Sequence, residues 1–208
     1  MTRLIISGTD TDVGKTVVAA MLTLALGARY FKPVQCGTQP ETDTQAVIRM
    51  TGLSTDRVLA EAVVLSHPLS PHRAAELDGV SIDVQSLTPP AGPVIVEGAG
   101  GLMVPVTRHM LFIDLFAAWN LPLVLVARTG LGTLNHTLLS LKALQSMNVA
   151  ICGIVFVGDE NLDNMRTISE MSGVKVLGRV PMMKQINANT LKQVFERNFN
   201  INDFELFK

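Results

Sequence analysis

The sequence predicts an α/β domain built on a mostly parallel β-sheet with helices on both faces. Two observations predict it. Short apolar runs alternate with longer helical stretches along the chain, the pattern of strands joined by crossover helices. The first such run, residues 4–7, feeds the loop GTDTDVGKT at residues 8–16, which opens a helix. A strand, a loop ending in Gly-Lys-Thr and a helix, in that order, form a phosphate-binding arrangement. The fold is therefore expected to be P-loop NTPase-like.

The elements follow in order. Residues 15–28, rich in Ala, Leu and Val with Gly27 near the end, form the first helix. Residues 30–35 form a second strand, and residues 42–50 a short helix stopped by Gly52. Between residues 63 and 93 the pattern blurs, because Pro68, Pro71, Pro89, Pro90 and Pro93 interrupt it; only residues 81–87 suggest a short helix there. Residues 94–97 are a buried strand ending in the glycine-rich stretch 98–101. A helix over 112–119, a strand over 121–127, a helix over 133–147 and a strand over 149–157 come next. A helix over 162–171, a strand over 174–180 ending at Pro181, and a helix over 189–197 complete the series. No repeat, linker or low-complexity tract divides the chain, so residues 1–208 are expected to form one domain. The tail at residues 198–208 carries Phe199, Phe204 and Phe207, which dock either on the core or on a partner.

Composition narrows the function classes. With 208 residues, 48% of them apolar and 17% charged, the chain holds enough apolar material to bury roughly 70% of its unfolded surface without staples. The formal net charge of −1 and the lack of a basic block argue against nucleic-acid binding. Cys36 and Cys152 lack the spacing of a zinc site or a disulfide framework. Residues 1–7 show no charged-then-apolar leader, and no apolar run is long enough to span a bilayer. A cytoplasmic protein without membrane or nucleic-acid partners is expected.

The loop at residues 8–16 carries the most specific chemistry. Five residues separate Gly8 from Gly14, one more than the G-x-x-x-x-G-K-[ST] template allows. Gly14 lets backbone N–H groups approach phosphates beside the positive end of a helix. Lys15 reaches the outer phosphates as a compact cation, and the Thr16 hydroxyl ligates Mg2+. The apolar strand ending in Glu97 supplies a carboxylate suited to Mg2+. Asp43 is a second candidate ligand, although a carboxylate at a helix start is also favoured by the helix dipole alone. Lys32 lies inside an apolar strand, where its charge needs either an anionic partner or an edge position.

Taken together these segments resemble the dethiobiotin synthetase family. The resemblance rests on GTDTDVGKT at residues 8–16, KPVQCG at 32–37, Ser70-Pro71-His72, EGAGG at 97–101 and GTLNH at 132–136, in that order. It covers nearly the whole chain and is looser after about Asp159. It implies conversion of 7,8-diaminononanoate, CO2 and ATP, with Mg2+, to dethiobiotin, ADP and phosphate by a homodimer. By the same resemblance Lys15, Lys32 and Thr11 are the catalytic set, and Thr16, Asp43 and Glu97 organise Mg2+. The nucleotide is implied to meet Asp12, Val13, Gly14, Lys15, Thr16 and Val17 in the loop. Asp43, Glu97, Gly98, Ala99 and Gly100 extend that set, and Val180, Pro181 and Met182 lie near the base. Substrate contacts are implied for Thr11, Lys32 and Cys36. Gly132, Thr133, Leu134 and Asn135 are implied to receive the substrate carboxylate across a dimer interface.

Three positions depart from the family pattern. Cys36 stands where Ser or Thr is frequent, and a thiol is a weaker hydrogen-bond donor. Asp12 replaces a common Glu. Val157 stands where many members carry an Asn that reads adenine, so base selectivity is either loose or rests on backbone near residues 178–182. Two other classes share parts of this pattern. A cobyrinate-type amide ligase carries a glutamine-hydrolysing domain, for which these 208 residues have no room. A partitioning or cell-positioning ATPase uses a similar deviant loop but presents basic or amphipathic surfaces, and none is legible here.

Overall fold

The computed structural model describes residues 2–204. The chain runs β1 (Arg3–Gly8), α1 (Lys15–Ala25), β2 (Arg29–Phe31), β3 (Val34–Cys36), α2 (Asp43–Thr51), β4 (Val63–Leu65), α3 (Pro71–Asp78) and β5 (Val94–Gly101). It continues through β6 (Pro105–Thr107), β7 (Met110–Leu111), α4 (Phe112–Trp119), β8 (Leu123–Arg128), α5 (Thr133–Ser146), β9 (Ile151–Val157), α6 (Leu162–Ser172), β10 (Val176–Val180) and α7 (Ala188–Asn198). Six strands pair in the order β10-β9-β8-β1-β5-β2, and every pairing between them is parallel. The expected parallel sheet is therefore present.

The central strands read as unbroken apolar runs because both faces of the sheet are covered. Leu4 and Ile6 of β1 face a core shared with α1, α2 and α7, whereas Ile5 faces the opposite core with α4, α5 and α6. β8 alternates likewise, with Val124 and Val126 on the first side and Leu123, Leu125 and Ala127 on the second. Among the described residues no helix is long and apolar enough to cross a membrane.

The structure corrects the second predicted strand. Residues 30–35 divide at Lys32-Pro33: β2 joins the main sheet beside β5, while β3 pairs with β4 in a separate two-stranded sheet. Proline has no N–H for a ladder, so the break falls where the sequence places it. In the blurred region the helix α3 was missed. Pro71 occupies its first turn, where the missing N–H costs nothing, and Gly79 ends it at φ 68. The short helix expected over 81–87 shrinks to a single 3-10 turn, Val84–Leu87, capped by Asp83. α2 ends at Gly52 as its sequence indicates, and Thr42 closes a capping box with Gln45 at its start. In the tail, Phe199 and Phe204 pack with Phe195 of α7 on the chain's own core. Phe207 lies outside the described residues.

Candidate active site

β1, β5 and β2 are neighbours in the sheet, with β8 on the other side of β1. The segments leaving the carboxyl ends of β1, β5 and β2 therefore meet, at the kind of crevice where α/β sheets bind ligands. β1 delivers the phosphate loop. A Cβ on Gly8 would lie 2.6 Å from Val13 Cγ2 and 2.9 Å from the Asp10 carbonyl oxygen. The longer loop thus folds back on its first glycine, and that position cannot carry a side chain. Gly14 caps α1 at φ 97, in the left-handed region that favours glycine. Lys15 is buried, and its Nζ donates to the Asp10 carbonyl at 2.8 Å. Burial is the main cause that lowers its pKa to about 8.

β5 delivers Glu97, which is buried with both oxygens engaged. Oε1 accepts from Thr16 Oγ1 at 2.9 Å and from Lys32 Nζ at 3.1 Å, while Oε2 accepts from the Tyr30 hydroxyl at 2.9 Å. Lys32 follows β2 directly. Its Nζ also lies 2.6 Å from Asp43 Oδ2 and donates to the Gly98 carbonyl at 3.2 Å. Thr16 Oγ1 lies 3.3 Å from Asp43 Oδ1. One ammonium and one hydroxyl thereby bridge two carboxylates. Burial alone would lower the Lys32 pKa, but Glu97 and Asp43 outweigh it and hold the charge above its ordinary range. For Asp43, burial pushes upward and the nearby Lys32 pulls further down, leaving it below the usual carboxylate range. Burial first, and Glu97 next, push the Tyr30 phenol well upward.

These residues fit Mg2+. The Thr16 hydroxyl and the Asp43 and Glu97 carboxylates are hard oxygen donors, and the Lys32 ammonium already lies against both acids. Magnesium takes one or two carboxylates with phosphate and water rather than a protein-only cage. Among the described residues no cluster of three or more His, Cys, Asp and Glu forms such a cage.

A cavity of about 820 Å³ gathers most of the residues expected from sequence. Thr11, Asp12, Gly14, Lys15, Thr16 and Val17 of the phosphate loop and α1 line it. Lys32, Cys36, Asp43, Glu97, Ala99 and Gly100 line it too, together with Ser70 and Pro71. Burial pushes the Cys36 thiol up to about 11, so it stays protonated. A second cavity of about 490 Å³ adjoins the other side of the loop, where Asp12, Val13, Gly14 and Val17 meet Val180, Pro181 and Met182. Val157 faces this cavity, and a Cβ on Gly14 would lie 2.9 Å from its Cγ1.

Gly132, Thr133, Leu134 and Asn135 are not brought to either cavity of this chain. They open α5, capped by Gly132 at φ 91. Thr133 turns inward, its hydroxyl donating to the Arg128 carbonyl at 2.5 Å, whereas Leu131 beside them is fully exposed.

Sequence reasoning missed three residues that shape the site. Tyr30 holds Glu97. Gln35 accepts from the Asp43 backbone N–H at 3.1 Å and donates to the Gly37 carbonyl at 2.8 Å, fixing the start of α2. Arg128 donates to the Thr11 carbonyl at 3.0 Å and lines the second cavity. A polar side chain inside an apolar strand was the available signal for the first two, since such groups need partners.

Comparison with known proteins decides the family. A model described as an AAA domain matches residues 2–190. A protein of Rhodopseudomonas palustris (strain BisB5) named ATP-dependent dethiobiotin synthetase BioD is 53% identical, over 98% of this chain and 97% of its own. The chain belongs to the dethiobiotin synthetase family. A second member, from Agrobacterium fabrum (strain C58 / ATCC 33970), is 52% identical over 97% of this chain and 96% of its own. Among solved structures, the septum site-determining protein MinD of Pyrococcus horikoshii OT3, complexed with Mg-ADP, superposes with a TM-score of 0.56 at 14% identity. That likeness covers 95% of this chain and 96% of the other. A ParA family ATPase from Chlorobium tepidum TLS gives 0.53 at 13% identity, covering 94% and 91%. These two show the fold, a P-loop α/β sheet, and the family membership shows an ATP-dependent ligase.

Proposed function

We propose that this chain, as one domain, closes the ureido ring of dethiobiotin from 7,8-diaminononanoate, CO2 and ATP. The observation that carries the reading is a single cavity lined by both the phosphate loop and the Lys32–Asp43–Glu97 cluster, which Thr16 joins. One substrate amine takes up CO2 as a carbamate. A carbamate oxygen attacks the γ-phosphorus and ADP leaves. The second amine then attacks the carbonyl carbon, and phosphate departs with that oxygen. Little covalent work falls to the protein, so positioning and charge stabilisation dominate.

The residue roles follow from placement. Lys15 and Lys32 both line the cavity and are suited to neutralise charge spread over the carbamate and γ-phosphate. Thr16, Asp43 and Glu97 would hold Mg2+, which supplies neutralisation of the phosphate oxygens. Thr11 and Cys36 line the substrate side, with Cys36 a weak protonated donor at best. The apolar patch of Val157, Val180, Met183 and Ile186 receives the base. Among the described residues lining this cavity there is no side-chain amide, so selectivity among bases is loose or rests on the backbone of residues 178–182. Residues 132–135 serve a second copy in a cytoplasmic homodimer: the first-turn N–H groups of α5 form an anion site for the substrate carboxylate.

Bicarbonate labelled with 13C and 18O tests the path. The expected result is 13C in the ureido carbon and one 18O in the released phosphate. Labelled product with unlabelled phosphate would exclude attack by the carbamate oxygen.

A further inference from the structure

Tyr30 is the one tyrosine of the chain, and it lines neither cavity beside the phosphate loop. It sits in the middle of β2, opposite Ile95 of β5, and is fully buried. A buried phenol needs a partner for its O–H, and here that partner is Glu97 Oε2 at 2.9 Å. The two oxygens of Glu97 are thereby divided. Oε2 points to the interior and is held by Tyr30; Oε1 points to the cavity and meets Thr16 and Lys32. The terminal torsion of a glutamate is broad, so packing alone does not fix the plane in which the carboxylate offers its free oxygen to the site.

We propose that Tyr30 is a positioning residue, whose hydroxyl holds one oxygen of Glu97 and so fixes the plane in which the other meets the cation beside the phosphate loop. The inference rests on the reading of Glu97 as a metal-site carboxylate. Partners that orient a ligating carboxylate typically change metal affinity ~10–100-fold when removed. A tyrosine serving only to fill the sheet edge would not.

The test is Tyr30→Phe, which keeps the ring and deletes one O–H. Calorimetric titration of Mg2+ into protein saturated with a non-hydrolysable ATP analogue should show affinity weakened ~10–100-fold. Nucleotide affinity in EDTA and the cooperativity of melting should stay unchanged. Unaltered Mg2+ affinity in the folded variant overturns the proposal. Glu97→Gln, titrated in parallel, separates the two claims. If it too leaves Mg2+ affinity unaltered, the reading of Glu97 fails; if it weakens binding and Tyr30→Phe does not, the positioning role fails alone. Should Tyr30→Phe not fold, wild-type protein labelled with 13Cζ-tyrosine answers the question, because it gives one tyrosine resonance. That resonance should move when Mg2+ is added to the nucleotide complex and stay fixed in Glu97→Gln. No movement in wild type overturns the proposal.

Discussion

Replacing Lys32 by Met removes the one ammonium that lies between Asp43 and Glu97 while keeping similar bulk. Both contacts are short, 2.6 Å to Asp43 and 3.1 Å to Glu97, but they differ in exposure. The Glu97 side chain is 1% exposed and that of Asp43 35%. Removing one partner of a fully buried pair costs ~3–5 kcal/mol. The Asp43 contact is partly screened by solvent and is closer to the ~1 kcal/mol ceiling of exposed pairs. The loss is therefore set by Glu97, and the lower end, about 3 kcal/mol, is appropriate because Thr16 and Tyr30 still satisfy its oxygens. At ~2–4 °C per kcal/mol for a chain of this size, the melting temperature in EDTA should fall by roughly 6–12 °C. Saturating Mg2+ and ADP should recover much of that fall, since a divalent ion replaces the lost charge. Turnover should vanish with nucleotide affinity preserved. Differential scanning calorimetry of both proteins, in EDTA and in Mg2+ with ADP, measures this. A variant melting with wild type in EDTA would refute the ion-pair reasoning. One equally destabilised in both buffers would refute the idea that a cation belongs between these acids.

Three further outcomes are expected. Because burial lowers the Lys15 pKa to about 8 and a bound phosphate favours its charged form, ATP binding above pH 8 should take up a proton, an uptake that fades below pH 8 where the free lysine is already charged; calorimetry in buffers of different ionisation enthalpy reads it. Val157→Asn should sharpen ATP preference over CTP and GTP, whereas wild type should use all three within about tenfold in kcat/KM, or ~1.4 kcal/mol; initial rates with each triphosphate decide. Gly14→Ala should abolish nucleotide binding, because φ 97 strains any side chain and the new Cβ meets Val157 at 2.9 Å; equilibrium binding of a fluorescent ATP analogue, with circular dichroism to confirm folding, checks it.

The phosphate loop was legible because its chemistry lies in contiguous residues, Gly14, Lys15 and Thr16, between a strand and a helix. Lys32, Asp43 and Glu97 were each visible as a charge in an unusual place. Their convergence was not, since it depends on β5 lying between β1 and β2, which no local pattern encodes. The partners of Tyr30 and Arg128 were hidden for the same reason: they lie 67 and 117 residues away. The helix α3 was hidden by Pro71, a residue that breaks helices in the interior and starts them at the first turn. Residues 132–135 were correctly read as a helix start, yet neither cavity beside the phosphate loop includes them.

One cavity is expected to join CO2, a diamine and ATP. Incubating the protein with ATP, Mg2+, bicarbonate and 7,8-diaminononanoate, and measuring dethiobiotin by mass spectrometry beside released phosphate, tests it most directly. Dethiobiotin and phosphate should form in equal amounts, both dependent on the diamine. Phosphate release indifferent to the diamine, with no dethiobiotin formed, would contradict it.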